Sequence, residues 1–330
     1  MARGFFPRRS WILVVGVVLA GTLADLDLLT LLLGPDAYLT GRFTVTHSLI
    51  GTVVVIALAA AFVKRIEPRH GPPQKASPTP ASVGTILLAT SLAAALHLLL
   101  DLATASGVAV LWPFRQTRFA WDLLPSIDPY ILALLLAGIL LPELFSLVGS
   151  EIGAKEKVPR GRNGAIVALA LTCLYVGVRV TLHGSAAAQL DAHAYRGESA
   201  HKVAAFPDTL SLVGWHGVVE TTTQICMVEV PATQSMRFDA ESAACVHKPE
   251  ESPLLTNAQA TDATRKFLQV ARFPKASVGS RPDGSEVVLR DMRDAAQNET
   301  RYALAARILL DPAGQVTSQT IVWASNVRLR

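Results

Sequence analysis

Charge is what this sequence is short of. Asp, Glu, Lys and Arg make up 17% of its 330 residues, against about 25% in an ordinary soluble domain. The deficit is uneven: residues 1–182 contain long uncharged runs, whereas residues 183–330 have the composition of a water-soluble protein. Cysteine is scarce as well, with three in the chain, which excludes a multi-disulfide scaffold and a Cys-cluster zinc fold. No glycine-rich phosphate loop and no internal repeat occur. What is abundant is apolar surface: 51% of residues are hydrophobic and the mean hydropathy is +0.37.

Five runs are long and apolar enough to cross a hydrocarbon core, which takes roughly 20 residues. They are Trp11–Leu33, Ser48–Val63, Val83–Thr104, Pro129–Val148 and Gly164–Leu182. The opening "MARGFFPRRS" could instead start a cleaved or twin-arginine signal, but the apolar run continues to Leu33, past any small-residue cleavage point. Basic residues in the short loops set the orientation. Arg3, Arg8 and Arg9 precede the first span; Arg42 alone is in the first loop; Lys64, Arg65, Arg69 and Lys75 are in the second. Arg115 and Arg118, offset by Asp122 and Asp128, are in the third loop, and Lys155, Lys157, Arg160 and Arg162 in the fourth. This alternation places the N-terminus in the cytoplasm and, after five spans, the C-terminal part outside. The pI near 9.1 is accounted for largely by cytoplasmic loops, so no nucleic-acid partner is implied.

The expected architecture is an α-helical polytopic membrane domain (1–182), a helical stalk or linker (183–207), and a small α+β soluble domain (208–330). In the last, "WHGVVETTTQICMVEV" reads as one or two strands and "NAQATDATRKFLQVARF" as a helix. "SEVVLRDMR", "TRYALAARILLD" and "PAGQVTSQTIVW" supply further strands. Cys226 and Cys245 both fall in this part, where a disulfide could persist, although spacing alone leaves two free thiols open. The soluble part's histidines show no ligand spacing.

Ionisable groups inside membrane spans are costly and by default functional. Asp25 and Asp27 lie in "LADLDLLT", His47 in "FTVTHSLIG", His97 and Asp101 in "HLLLDLATASG", and Asp128 just before the fourth span. At about 1.5 Å per residue, Asp25 lies about 21 Å and Asp27 about 24 Å along the first span. His97 lies about 21 Å and Asp101 about 27 Å along the third. His47 and Asp128 mark the outer ends of the second and fourth, so all six share the outer side. Imidazole nitrogen with carboxylate oxygen suits a divalent metal: zinc first, with manganese, iron or magnesium as alternatives. His97 and Asp101, at i and i+4, face one side of a helix, with Thr104 on the same face. Asp25 and Asp27 would be about 200° apart on an α-helix, so either the helix breaks there or one carboxylate orients a histidine. Taken singly, His97 and Asp101 could be a mutual packing contact, and Asp128 before Pro129 a helix N-cap.

The order of these motifs resembles a family. A D-x-D ending a first apolar segment (Asp25, Asp27) is followed by T-H-S (Thr46, His47, Ser48). Next come H-x-x-x-D-x-x-T-x-x-G (His97 to Gly107) and W-P-F (Trp112, Pro113, Phe114). This is similar to the YdjM-like inner-membrane proteins, described as LexA-binding, membrane-bound metal-dependent hydrolases. The likeness spans roughly residues 10–182, and "AFP…W.GVVET" (205–221) resembles a C-terminal extension present in a subset. Many members carry H-R-G-x-T-H-S; here Arg42 stands at the first His and Phe43 at the Arg, which removes one possible ligand. An outward-facing soluble part would not meet a cytoplasmic repressor, so LexA binding is not carried over.

Residues and resemblance together lead to the expectation of a metal-dependent hydrolase in the bacterial inner (cytoplasmic) membrane, its site near the outer leaflet. Its metal ligands would come from Asp25, Asp27, His47, His97 and Asp101, and Asp27 or Asp128 would accept the proton. A site at headgroup depth suits a lipid or lipid-linked ester, including a phosphoester that Arg115 or Arg118 could bind. The other class is a non-enzymatic metal-binding scaffold or carrier whose exported domain binds a protein partner, one that the sequence does not identify.

Overall fold

The computed structural model describes residues 11–66, 82–151, 162–231, 238–296 and 303–326. The N-terminal arginines and most of the two connections read as cytoplasmic (67–81 and 152–161) lie outside these residues.

The first apolar run begins as helix α1 (Trp11–Thr22) and tightens at Leu23 into a 3₁₀ segment, Leu23–Leu33. After a turn at Gly34 comes a short helix, α2 (Pro35–Gly41). Three long apolar helices follow: α3 (Leu49–Ile66), α4 (Val83–Ala103) and α5 (Pro129–Glu151). The last of the set, α6 (Arg162–Asp191), has 30 residues. Four segments meet the length and composition of membrane spans (Ile12–Leu33, α3, α4 and α6), and the described apolar part of α5, Pro129–Phe145, is shorter. Val18, Val53, Leu88, Leu140 and Leu174 are more than half exposed, as lipid-facing positions must be when bilayer replaces water. Inside, Leu13, Val63, Ile86 and Ala89 join α1, α3 and α4 in one buried cluster.

At about 1.5 Å per residue, α6 is about 45 Å long, well beyond a hydrocarbon core of about 30 Å. The surplus carries the C-terminal region. The segment 183–207, expected as a helical stalk, is helical to Asp191. It then forms β1 (Ala194–Tyr195), β2 (Glu198–Ser199) and β3 (Lys202–Pro207). With β4 (Gly214–Glu220), β5 (Gln224–Pro231) and β6 (Ala244–His247), β3 makes an antiparallel sheet in the order β3-β4-β5-β6. Period-two alternation gives this sheet two apolar faces. Trp215, Val219, Cys226 and Val228 pack on Ala186 and Leu190 at the end of α6. Ala204, Phe206, Val218 and Ile225 face Phe273 and Ala105, the latter just past the end of α4. Cys226 and Cys245 sit opposite each other on β5 and β6 and form a disulfide, which decides the alternative that the sequence left open.

The segment expected as one helix is two, α7 (Pro253–Gln259) and α8 (Asp262–Leu268). Thr261 interrupts it, its hydroxyl accepting the Thr264 N–H as an N-cap. These helices cover a second antiparallel sheet, ordered β10-β9-β8-β7. Its strands are β7 (Pro274–Arg281), β8 (Gly284–Asp291), β9 (Leu304–Leu310) and β10 (Val316–Trp323), with helix α9 (Met292–Ala296) after β8. Phe267, Leu289, Ile308 and Leu310 form its core, and Leu39 of α2 inserts into the same cluster. The two halves are further tied by Asp122, 5% exposed, which accepts both Arg272 guanidinium nitrogens at 2.5 and 2.8 Å. Lys266 donates to Asp36 at 3.2 Å.

Candidate metal centre

Three stretches of backbone bring the polar groups together. The first is the 3₁₀ segment. At three residues per turn, Asp25 and Asp27 are about 120° apart the short way round, closer than an α-helix would allow. The helix therefore does change at this motif. Arg42 bridges the two carboxylates: its Nη1 lies 3.1 Å from Asp25 Oδ1 and also donates to Asp27 Oδ1.

The second stretch is the turn from Arg42 to Ser48. Phe43 has φ 57°, a left-handed conformation costing a non-glycine residue on the order of 1 kcal/mol. Its N–H donates to Asp27 Oδ2 (2.8 Å) and its carbonyl accepts Ala109 N–H (2.9 Å). Ser48 then starts α3, its hydroxyl donating to Val45 O (2.8 Å) and accepting Gly51 N–H (3.0 Å). Between these anchors His47 is 1% exposed. Gly51 lets the turn fold back onto α3, since a Cβ there would stand 1.9 Å from Val45 O. Gly51→Ala must push the 45–47 backbone away. We expect a loss of about 1–3 kcal/mol, checked by thermal unfolding of the purified variant.

The third stretch is the end of α4, where His97 and Asp101 stand one turn apart. Thr104 stops the helix, with its N–H and hydroxyl both donating to Asp101 O at 3.0 and 2.8 Å.

The side chains converge on one point. His47 Nδ1 lies 2.9 Å from Asp27 Oδ2, leaving Nε2 to face inward. That Nε2 is 3.3 Å from His97 Nε2 and 3.1 Å from Asp101 Oδ2. His97 Nε2 is 3.2 Å from the same Asp101 oxygen and 3.8 Å from Asp25 Oδ2. Ligand atoms of Asp25, His47 and His97 all lie within 4.8 Å of one another, a group able to hold a metal ion. Two features fit a cation. Asp101 Oδ2 is buried yet accepts no well-aligned hydrogen bond; such an orphan costs roughly 1–3 kcal/mol unless something positive meets it. Four-coordinate zinc with bonds of about 2.0–2.1 Å places neighbouring ligand atoms about 3.3 Å apart, close to the His47–His97–Asp101 triangle. Charge points the same way: three carboxylates against one guanidinium leave about −2, the complement of a divalent ion. A void of about 10 Å³ lies against His47 and His97.

Of the six residues singled out in the sequence, Asp25, Asp27, His47, His97 and Asp101 are thus in contact. Asp128 is bound elsewhere. Its Oδ1 accepts the N–H groups of Tyr130 and Ile131 at 2.9 and 3.0 Å, and its Oδ2 accepts Tyr175 Oη–H at 2.7 Å. It caps α5 and ties it to α6. Two cations escaped the sequence reading. Arg42 on the aspartates is a loop residue whose partner only the fold reveals. Arg179 of α6 is an ionisable group in an apolar run, so the rule that flagged the aspartates reaches it. Its Nε donates to Leu123 O (3.1 Å) and its Nη1 to Leu212 O (2.9 Å), with the guanidinium 4.4 Å above the Trp215 ring.

Compared with known proteins, residues 1–186 match the family described as YdjM inner membrane protein. No curated protein and no solved structure matches the chain.

Proposed function

This chain belongs to the YdjM inner membrane protein family, and from that premise we propose that it is a membrane-embedded, metal-dependent hydrolase. Its site faces the outer side of the bacterial inner membrane. Loop charges support a cytoplasmic N-terminus and an exported C-terminal region, and the Cys226–Cys245 disulfide suits an oxidising compartment. The observation that carries the proposal is the triangle of His47 Nε2, His97 Nε2 and Asp101 Oδ2, three metal-ligating atoms 3.1–3.3 Å apart.

In this reading His47, His97 and Asp101 hold the ion and Asp25 approaches from the open side, its side chain 42% exposed. When bound, a divalent cation would polarise an ester oxygen and bring the pKa of a water toward about 7. Asp27 keeps His47 in the tautomer that presents Nε2. Arg42 offsets part of the carboxylate charge and holds Asp25 in place. Both oxygens of Asp27 and of Asp128 are engaged, whereas Asp25 gives only Oδ1 to Arg42 and meets solvent, so the proton falls to Asp25 Oδ2. A site at this depth suits a lipid or lipid-linked ester, phosphoesters among them.

Metal content of the detergent-purified protein tests this directly, beside a His97→Ala/Asp101→Ala variant of equal folded yield. Near-stoichiometric metal in the wild type and its loss in the variant are expected, followed by ester hydrolysis that needs the same metal. A well-folded wild type that takes up no metal after reloading would overturn the proposal and leave a helix-packing cluster.

A further inference from the structure

Next to the metal cluster, a cavity of about 130 Å³ separates the outer loops of the membrane part from the C-terminal region. Three arginines line it: Arg42, Arg118 and Arg293. Arg42 is the residue that pairs with Asp25 and Asp27, so the cavity reaches the cluster through one side chain. Asp291 and Asp294 line it too. Asp291 is occupied, accepting the backbone N–H groups of Arg272, Phe273 and Arg293 at 2.8, 3.1 and 3.0 Å. Arg293 lies 3.5 Å from Asp291 and 3.8 Å from Asp294 and donates to Ala105 O.

Arg118 differs from the other two. Its guanidinium donates only to the carbonyls of Leu39 (3.2 Å) and Gly107 (3.4 Å), and no carboxylate pairs with it among the described residues. Partial burial, with Arg293 close by, lowers its pKa to about 10 although Asp27 acts the other way, so at neutral pH it keeps its charge. A half-buried cation with no carboxylate in hydrogen-bonding contact favours an anion beside it, and the backbone makes room for this one. Gly107 has φ 78°, and a Cβ there would come within 3.1 Å of Arg118 Cβ. Beside its charged groups, the C-terminal region also gives the cavity apolar lining: Phe267, Val270 and Leu304. Cationic groups together with apolar lining select an anion with a hydrocarbon part.

We propose that this cavity is a binding subsite for the phosphate of an amphiphilic phosphoester, with Arg118 as its principal anion-binding group and the C-terminal region supplying the lining for its apolar portion. It rests on the hydrolase reading above only in taking the neighbouring cluster as the place of cleavage; the binding itself needs no metal. Guanidinium is suited to phosphate because its fork can donate two parallel hydrogen bonds to two oxygens. The subsite also gives the C-terminal region a part in the chemistry, because neither half of the chain forms the cavity alone.

The test is calorimetric titration of the metal-stripped, detergent-purified full chain. The probes are dihexanoyl phosphatidate, dihexanoylglycerol, glycerol 3-phosphate and inorganic phosphate. Saturable binding of the phosphatidate, absent for dihexanoylglycerol, is expected. Arg118→Gln should weaken it at least tenfold and Arg118→Lys, which keeps the charge but loses the fork, by less. Both variants should still load metal, which separates loss of the subsite from loss of the fold; should Arg118→Gln not fold, Arg118→Lys carries the comparison. Weak binding of the two soluble phosphates assigns the ligand to lipid, and equal binding of all three phosphates overturns the amphiphile. Equal binding of phosphatidate and dihexanoylglycerol, or wild-type affinity in Arg118→Gln, overturns the subsite. A wild type that binds phosphatidate but never metal would leave the subsite standing and remove the hydrolase.

Discussion

Asp27→Asn is expected to cut metal affinity by about 10- to 100-fold, the usual cost of losing a carboxylate that orients a ligating histidine, and to destabilise the fold by several kcal/mol. The reason lies in the donors around Asp27, which is 8% exposed. His47 Nδ1 and the Phe43 N–H approach Oδ2 at 2.9 and 2.8 Å, while Arg42 approaches Oδ1. All of these groups donate. Asparagine offers one acceptor oxygen and one NH₂. Whichever way it turns, NH₂ points at a donor, either the guanidinium or the imidazole N–H. Flipping the His47 tautomer to relieve this would put a proton on Nε2, where the lone pair is needed. Breaking a buried charge pair from one side typically costs about 3–5 kcal/mol. Metal titration and thermal unfolding of the variant in the same detergent would check both parts. Wild-type affinity in Asp27→Asn would mean that His47 takes no direction from Asp27.

Arg179→Ala should have a comparable effect on stability and almost none on the contacts among His47, His97 and Asp101. Arg179 is 1% exposed and holds carbonyls from two different segments, Leu123 before α5 and Ser211–Leu212 between β3 and β4. Charge-assisted hydrogen bonds contribute roughly 1.5–3 kcal/mol each, so losing the two shorter ones costs on the order of 4 kcal/mol. The lost stacking on Trp215 adds to this. The loss should be local at first. The loop at 208–213 carries exposed Leu210, Leu212 and Val213, and besides Arg179 the Tyr130 hydroxyl reaches it, donating to Leu210 O at 2.6 Å. Limited proteolysis should therefore cleave Arg179→Ala within 208–213 well before the wild type. Equal rates would mean that the β3–β4 loop is held by its own turn, not by α6.

The helices were legible because twenty apolar residues in a row have few other uses. The expected Val83–Thr104 span and the observed Val83–Ala103 helix differ by one residue, and Pro129 opens both the expected and the observed fourth helix. The central strands were all legible, and so was one edge strand, β10. β4, β5, β8 and β9, each paired on both sides, gave clear β-branched runs. Among the strands not anticipated, β3, β6 and β7 are all sheet edges. An edge strand such as "PKASVGSR" carries charge, Pro and Gly because one side has no partner to satisfy. The change to 3₁₀ geometry at Leu23 was half visible. Two aspartates on opposite faces of an apolar helix required either a break or a division of roles, but nothing local said which. His47, His97 and Asp101 could be read from shared depth, whereas Arg42, Arg293 and the Asp122–Arg272 pair depend on contacts between residues as much as 188 apart in sequence.

The insertion of α2 into the second sheet also bears on how the chain is made. Leu39 is buried among residues that follow position 253, and Tyr38 lies 5.7 Å from the ring of Trp323. A ribosome releases α2 long before those residues exist, so through most of synthesis this small apolar helix waits without its partners. Its closing contacts are made only once β10 has been synthesised. Closure over α2 thus waits on β9 and β10, and a chain arrested after α6 would leave Leu39 without the residues that bury it.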